Sequence, residues 1–270
     1  MKKSITLFLI SALLTVYLIS CSTVPVTGRK QLSLIPASQM MAMSFQQYND
    51  FLKSHKLSTN KKEANLVKKV GKRISKAVEK YLTEKGMSDV ISGYKWEFNL
   101  VESKQVNAWA MPGGKVVFYT GILPICKDEN GIATVMGHEV SHAIAGHGRE
   151  RMSHALLAQL GGLGLALALQ KEPRQTQQLW LAAYGIGAQV GILLPFSRLQ
   201  ESEADHLGLI FMAIAGYDPH NALKFWQRMA AQKNGKAPPE FLSTHPSDQT
   251  RIEDIKKLLP EAMKYYKRFK

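Results

Sequence analysis

The chain has 270 residues, 45% hydrophobic and 21% charged, which excludes a disordered tail, a mini-protein and a multi-span membrane protein. Thirty-five Lys and Arg against 21 Asp and Glu give a formal charge of +14, which favours acidic partners but names no function. Two cysteines, Cys21 and Cys126, exclude a disulfide framework and a four-cysteine metal site, so any metal must be held by histidine and carboxylate.

Lys2 and Lys3 precede an almost unbroken apolar run from Ile5 to Ile19, the pattern of an export signal over residues 1–20 rather than of a folded element. The run falls short of the ~20 apolar residues that span a bilayer. Leu18-Ile19-Ser20-Cys21 resembles a bacterial lipobox. It predicts cleavage before Cys21, acylation of that cysteine, and attachment to the extracytoplasmic side of a membrane. Ser22, in place of Asp, fits the periplasmic face of a Gram-negative outer membrane. A plain secretory signal or an uncleaved anchor is the alternative. In an exported chain, Cys126 is expected as a buried free thiol.

Residues 21–60, with Thr23, Pro25, Thr27, Gly28 and Pro36, read as a tether that passes into a short helix over Ser38–Leu52. Leu66, Val70, Ile74, Ala77 and Tyr81 then recur at spacings of three and four, an amphipathic helix that opens a domain over residues 61–270. Eleven Lys and Arg against three Glu between Lys53 and Lys85 read as a solvated face without interleaved stacking aromatics, so nucleic acid is not an expected partner. Tyr94, Trp96, Phe98 and Leu100 alternate with polar residues, as in a strand with one buried face. Asn107–Met111, a Pro112-Gly113-Gly114 turn and Lys115–Thr120 read as a hairpin. Helical patterning returns over Gly131–Gly148 and dominates thereafter. The expected fold is therefore α+β, mostly helical, with a small antiparallel sheet.

His138-Glu139-Val140-Ser141-His142 lies within that helical stretch. Two histidines four apart lie one above the other, about 6 Å along a helix, and can converge on one ion with Glu139 beside it. Ile132, Val135, Met136, Val140 and Ala143 supply the buried side of the same helix. A catalytic zinc needs a third protein ligand and an open position for water. The candidates are His147, His154, Glu201, Glu203, Asp205, His206 and His245. His147, five residues after His142, is rotated off the ligand face and reads as a supporting or surface group. The metzincin spacing would place a histidine where Gly148 stands. Glu201-Ser202-Glu203-Ala204-Asp205 supplies the missing ligand on a second helix. Glu201 and Asp205 share a face, so Glu201 can bind the metal while Asp205 fixes the tautomer of a ligand histidine. Glu203 points away.

These motifs closely resemble those of the HtpX-like and CAAX-prenyl-protease-like zinc metallopeptidases, and among them the soluble periplasmic lipoproteins. The resemblance covers about residues 60–258 and rests on Asn107–Gly114 (NAWAMPGG), HEVSH, ESEAD, and Ser243-Thr244-His245-Pro246-Ser247 followed by Arg251. It implies a zincin-like, gluzincin-type domain with one zinc per chain on His138, His142 and Glu201, Glu139 as catalytic base, and Asp205 behind a ligand. It also implies that Asn107, Ala108, Trp109, Ala110, Pro112 and Gly113 lie in a substrate-binding edge strand, with His245 and Arg251 as catalytic groups at the rim. His245 has two possible roles, an oxyanion donor in an open site or a plug on the fourth zinc position in a closed one.

The expected function is an endopeptidase acting on unfolded or extended polypeptides, misfolded or misassembled envelope proteins above all. The alternative is a chaperone-like client-binding protein with a latent zinc site. The apolar, glycine-containing segments Ala155–Leu169 and Leu179–Phe196 are interrupted by Gln159 and Gln189. They are expected as packed core helices or an exposed binding surface rather than as membrane spans.

Overall fold

The structure, a computed structural model, describes residues 21–25, 27–170, 174–188, 194–232, 241–242, 245 and 249–269. The leader through Ser20, Gln189, and the residues 243–244 and 246–247 that flank His245 lie outside the described residues. Chain contacts define two units, one of the residues up to Gln39 with Gly146–Ser197, the other of Met40–Ala145 with Arg198–Lys270. The second unit holds every predicted site residue except Cys21.

In the second unit, helix α1 (Ala37–Ser54) corresponds to the short predicted helix, and α2 (Lys61–Glu84) to the amphipathic one. Asn60 caps α2 by accepting from the backbone N–H of Glu63, and Val67, Val70, Ile74, Ala77, Val78 and Tyr81 form its buried face. Strands β3 (Glu97–Val101), β4 (Ala108–Met111) and β5 (Lys115–Tyr119) follow. They assemble in the order β3-β5-β4, so β4 is an edge strand.

The predicted hairpin forms: β4 pairs with β5 antiparallel, Ala108 opposite Phe118 and Met111 opposite Lys115. Gly113 and Gly114 turn the chain at φ +87° and +82°, where a side chain would be strained. The expectation of an all-antiparallel sheet is corrected, because β3 pairs with β5 in parallel, Glu97 opposite Lys115 and Val101 opposite Tyr119. Alternation across β3 is corrected too. Asn99 is buried on the face predicted to be wet, where its amide donates to the Tyr48 hydroxyl at 2.8 Å. Tyr48 packs there with Val101, Val117 and Tyr119, so α1 covers the face that a one-sided sheet would leave to solvent.

After the short helix α3 (Leu123–Cys126), with Cys126 buried and free, comes α4 (Glu129–Ile144). Asp128 caps it by accepting from the Gly131 N–H, and every residue from Gly131 to Ile144 is buried. The helix stops short of the predicted Gly148, because Gly146 takes a left-handed φ of +72°. His147 therefore starts the next helix and is fully buried, not a surface group. Helices α7 (Leu194–Ile214), α8 (His220–Ala231) and α9 (Gln249–Phe269) complete the unit.

The first unit contains a ribbon where a tether was expected: β1 (Cys21–Thr23) pairs antiparallel with β2 (Lys30–Leu32). It also contains a helical hairpin of α5 (His147–Ala168) and α6 (Arg174–Ala188). Tyr184 closes the hairpin by donating to the Ala158 carbonyl at 2.9 Å. Of the two predictions for the apolar segments, α5 follows the exposed-surface one, since Leu156, Leu160, Leu163 and Leu167 stand in solvent. Among the described residues, no helix is long and apolar enough to cross a membrane.

Candidate metal centre

The mostly helical α+β class is the one expected, and helices α4 and α7 carry the predicted motifs into one place. They touch where two glycines face each other. A Cβ on Gly137 would lie 2.9 Å from the Gly208 carbonyl oxygen, and one on Gly208 2.9 Å from the His138 backbone nitrogen. Glycine inside a helix costs about 1 kcal/mol relative to alanine. Here it admits backbone-to-backbone contact one residue from His138. Replacing Gly208 by valine should push the helices apart and weaken metal binding about five- to a hundredfold, an overpacking loss of ~1–3 kcal/mol. Competition with a chromophoric chelator measures it, and unchanged affinity would count against the crossing as the device that sets ligand spacing.

At this crossing His138 Nε2 lies 3.1 Å from His142 Nε2, and Glu201 Oε2 and Oε1 lie 3.2 and 3.3 Å from these two nitrogens. His245 joins them, with Nδ1 3.2 Å from His138 Nε2 and 3.0 Å from the Glu201 carboxylate. Donor atoms of these four residues all fall within 4.8 Å of one another. Ligands at about 2.0–2.1 Å in a tetrahedron lie about 3.3–3.4 Å apart. The donor set and its spacing thus fit a small divalent ion of the zinc type.

Asp205 Oδ1 accepts from His138 Nδ1 at 3.0 Å, which leaves the Nε2 lone pair as the one that would bind a metal. Arg251 contradicts the expected rim position. It is buried, donates from Nε and Nη2 to both Asp205 oxygens at 2.7 and 2.8 Å, and reaches Glu201 Oε2 at 3.1 Å. Its guanidinium lies 3.5 Å from the centre of the Trp226 ring. Trp226 and Phe241, stacked at 5.8 Å, form a platform on which the His245 ring rests 4.7 Å from that of Phe241. Sequence reading missed Trp226, Phe241 and the glycine pair. Only the glycines left a signal, as helix-disfavouring residues beside both ligand motifs. Glu139 is buried, and its Oε1 is 3.4 Å from His245 Nε2. Glu203, predicted to point away, is buried as well.

Burial pushes the Glu201 carboxyl up, but the charge of His142 and hydrogen bonds from three imidazoles hold it well below the ordinary carboxylate range. Asp205 is likewise raised by burial and pulled lower, on balance, by Arg251 and His138. For His138, burial and Arg251 favour the neutral ring, yet the bonds to Asp205 and Glu201 win and raise its pKa. A raised histidine stabilises the metal-free fold below its unfolded pKa of about 6.5, and that stability is lost as pH rises through the folded value. Metal binding needs the neutral ring. The gain in melting temperature on adding zinc should therefore be larger at pH 8 than at pH 6, and calorimetry at the two pH values tests the sign.

Two histidines one helical turn apart, a glutamate from a second helix and an acidic residue beside them form a metal centre of the zincin type. The chain belongs to peptidase family M48, whose profile it matches over residues 68–259. It is 38% identical over 191 residues to the mitochondrial metalloendopeptidase OMA1 of Schizosaccharomyces pombe, covering 70% of this chain and 53% of the relative. Its identity to the human mitochondrial metalloendopeptidase OMA1 is 32% over 251 residues, 89% of this chain and 46% of the relative. With the beta-barrel assembly-enhancing protease of Escherichia coli O157:H7 it shares 30% over 166 residues, 60% of this chain and 34% of the relative. The match thus spans about half, or less, of each of these relatives.

Proposed function

We propose that the protein is a zinc-dependent endopeptidase for unfolded or extended polypeptides, belonging to the lipoprotein-type, HtpX-like and CAAX-protease-like branch of its family. The observation that carries this reading is the convergence of His138, His142 and Glu201 donors at 3.1–3.3 Å beside the Glu139 carboxylate. It supports one zinc per chain on these three residues. The match to a peptidase family favours hydrolysis over client holding.

When bound, zinc supplies Lewis-acid polarisation of the scissile carbonyl and brings the pKa of a water toward about 7. Glu139 takes a proton from the attacking water and delivers it to the departing amine nitrogen. Asp205 and Arg251 hold His138 and Glu201 in place, so their part is positioning. Among the described residues no strand pairs with the outer side of β4, Ala108–Met111, so it offers main-chain hydrogen bonds to an extended substrate, which makes sequence selectivity loose. His245, whose Nδ1 lies 3.2 Å from His138 Nε2 and 3.0 Å from the Glu201 carboxylate, would serve as a fourth ligand and close the centre at rest. Phe241, which starts this segment, donates its N–H to the Val106 carbonyl at 3.0 Å, just ahead of that edge. Chelator-sensitive cleavage of casein, restored by zinc, tests the reading; its absence at full zinc loading would overturn it.

The lipobox-like Leu18–Cys21 supports acylation of Cys21 and an extracytoplasmic, membrane-anchored location. The name of the beta-barrel assembly-enhancing relative supports substrates among misassembled envelope proteins. Membrane fractionation of a Cys21→Ala variant is expected to show altered processing and attachment. Wild-type processing and attachment would refute the anchor.

A further inference from the structure

On α5, Leu156, Leu160, Leu163 and Leu167 stand at intervals of four, three and four residues, so they form one stripe, and they are 40–58% exposed. Trp180 of α6 is 55% exposed. The sequence has no Asp, Glu, Lys or Arg between Arg151 and Lys171, or between Arg174 and Arg198. Beyond the charged first turns of this 22-residue helix, Leu156 to Leu167 thus form an uncharged apolar stripe about 17 Å long.

What lies against it is indicated by the base of the hairpin. Arg29 pairs with buried Glu150 through two bonds of 2.6 and 2.8 Å, Arg149 donates to the Ser22 hydroxyl at 3.2 Å, and the Leu34 N–H donates to Ser153 Oγ at 3.0 Å. These contacts pin the β1–β2 ribbon to the first two turns of α5. The ribbon begins at Cys21, directly after the apolar run Ile5–Ile19. Cys21, the first residue after the membrane-targeting segment of the sequence, therefore stands at the base of the hairpin. The charge there is positive: Arg29, Lys30, Arg149 and Arg151 stand against Glu150 alone.

We propose that the apolar face of the α5–α6 hairpin lies on an anionic phospholipid surface, its leucines in the acyl boundary and the basic residues at its base among the headgroups. A helix whose apolar stretch does not suffice to span a bilayer binds in its interface by this combination of apolar area and positive charge. The face is a second attachment, separate from any acyl group on Cys21. The location reading enters only through the place where Cys21 joins the fold.

The test uses residues 21–270 with Cys21→Ser, a chain that keeps every element described and cannot be acylated. It should sediment with phosphatidylcholine vesicles containing phosphatidylglycerol. Replacing Leu160, Leu163 and Leu167 by glutamine should lower the bound-to-free ratio about tenfold or more. Brominated lipid should quench the fluorescence of the parent chain, and Trp180→Phe should remove most of that quenching. This conservative variant keeps the test valid if the triple variant misfolds. A parent chain that stays in the supernatant overturns the proposal, as does quenching insensitive to Trp180→Phe. It is also overturned if the triple variant binds vesicles normally. Dissociation of a dimer would then assign the face to a second copy, and loss of casein cleavage would assign it to substrate.

Discussion

Glu139→Gln should leave one zinc per chain in place and lower the rate of casein cleavage by about 10²–10⁴-fold, the usual contribution of a positioned general base. The substitution keeps shape and hydrogen-bonding reach and removes only the ability to take a proton. Glu139 is not among the four residues whose donors converge, so the metal has no reason to leave. Its burial excludes bulk water as a ready substitute base. His138→Ala and Glu201→Ala, in contrast, should lose much of both metal and activity. Elemental analysis beside the cleavage assay separates the two outcomes. Activity within tenfold of the parent at equal zinc content would remove Glu139 from the mechanism, and full zinc in Glu201→Ala would remove Glu201 from the ligand set.

His245→Ala should raise turnover. With Nδ1 3.0 Å from the Glu201 carboxylate and Nε2 3.4 Å from Glu139, this ring fills the position that water and a substrate carbonyl must share, and faces the base as well. An enzyme whose competent state is a fraction f of the population gains up to 1/f when that state is made dominant, so a gain of about tenfold follows if the site is open a tenth of the time. The zinc should remain on its three other ligands, and cleavage should become less selective. An oxyanion donor predicts the opposite, a loss of about a hundredfold with zinc retained. Arg251→Ala should not follow either pattern, because Arg251 holds Asp205 and Glu201 rather than the plug. Loss of metal affinity is its expected effect.

Local regularities made part of this molecule readable. The four-residue spacing of His138 and His142, the shared face of Glu201 and Asp205, and the glycine turn at 113–114 each depend on a few neighbouring residues, and the structure keeps all three. The parallel pairing of β3 with β5 left no trace, since each strand carries its own alternation but no mark of direction. The same ambiguity hid the fate of α5. Leucines at helical spacing look identical whether a neighbour covers them or not. The family resemblance places Arg251 at the rim, and nothing in its neighbouring residues marks it for burial. Only the fold reveals two carboxylates 46 and 50 residues upstream that make its burial tolerable. His245 enters the donor set across 107 residues, its ring against Phe241, which stacks on Trp226.

The buried pair of Asp205 and Arg251 has a consequence for how the centre is filled and emptied. Three carboxylates, Glu139, Glu201 and Asp205, share this buried pocket with one guanidinium, which leaves two negative charges when the imidazoles are neutral. A divalent cation brings the pocket to neutrality, a monovalent one does not, and uncompensated charge in a low-dielectric interior is costly. Departure of the metal therefore has to be matched by incoming positive charge, and protons on the imidazole and carboxylate groups are the carriers at hand. Metal exchange at this centre is then a trade of one ion for about two protons, with the dissociation rate set as much by acidity as by affinity.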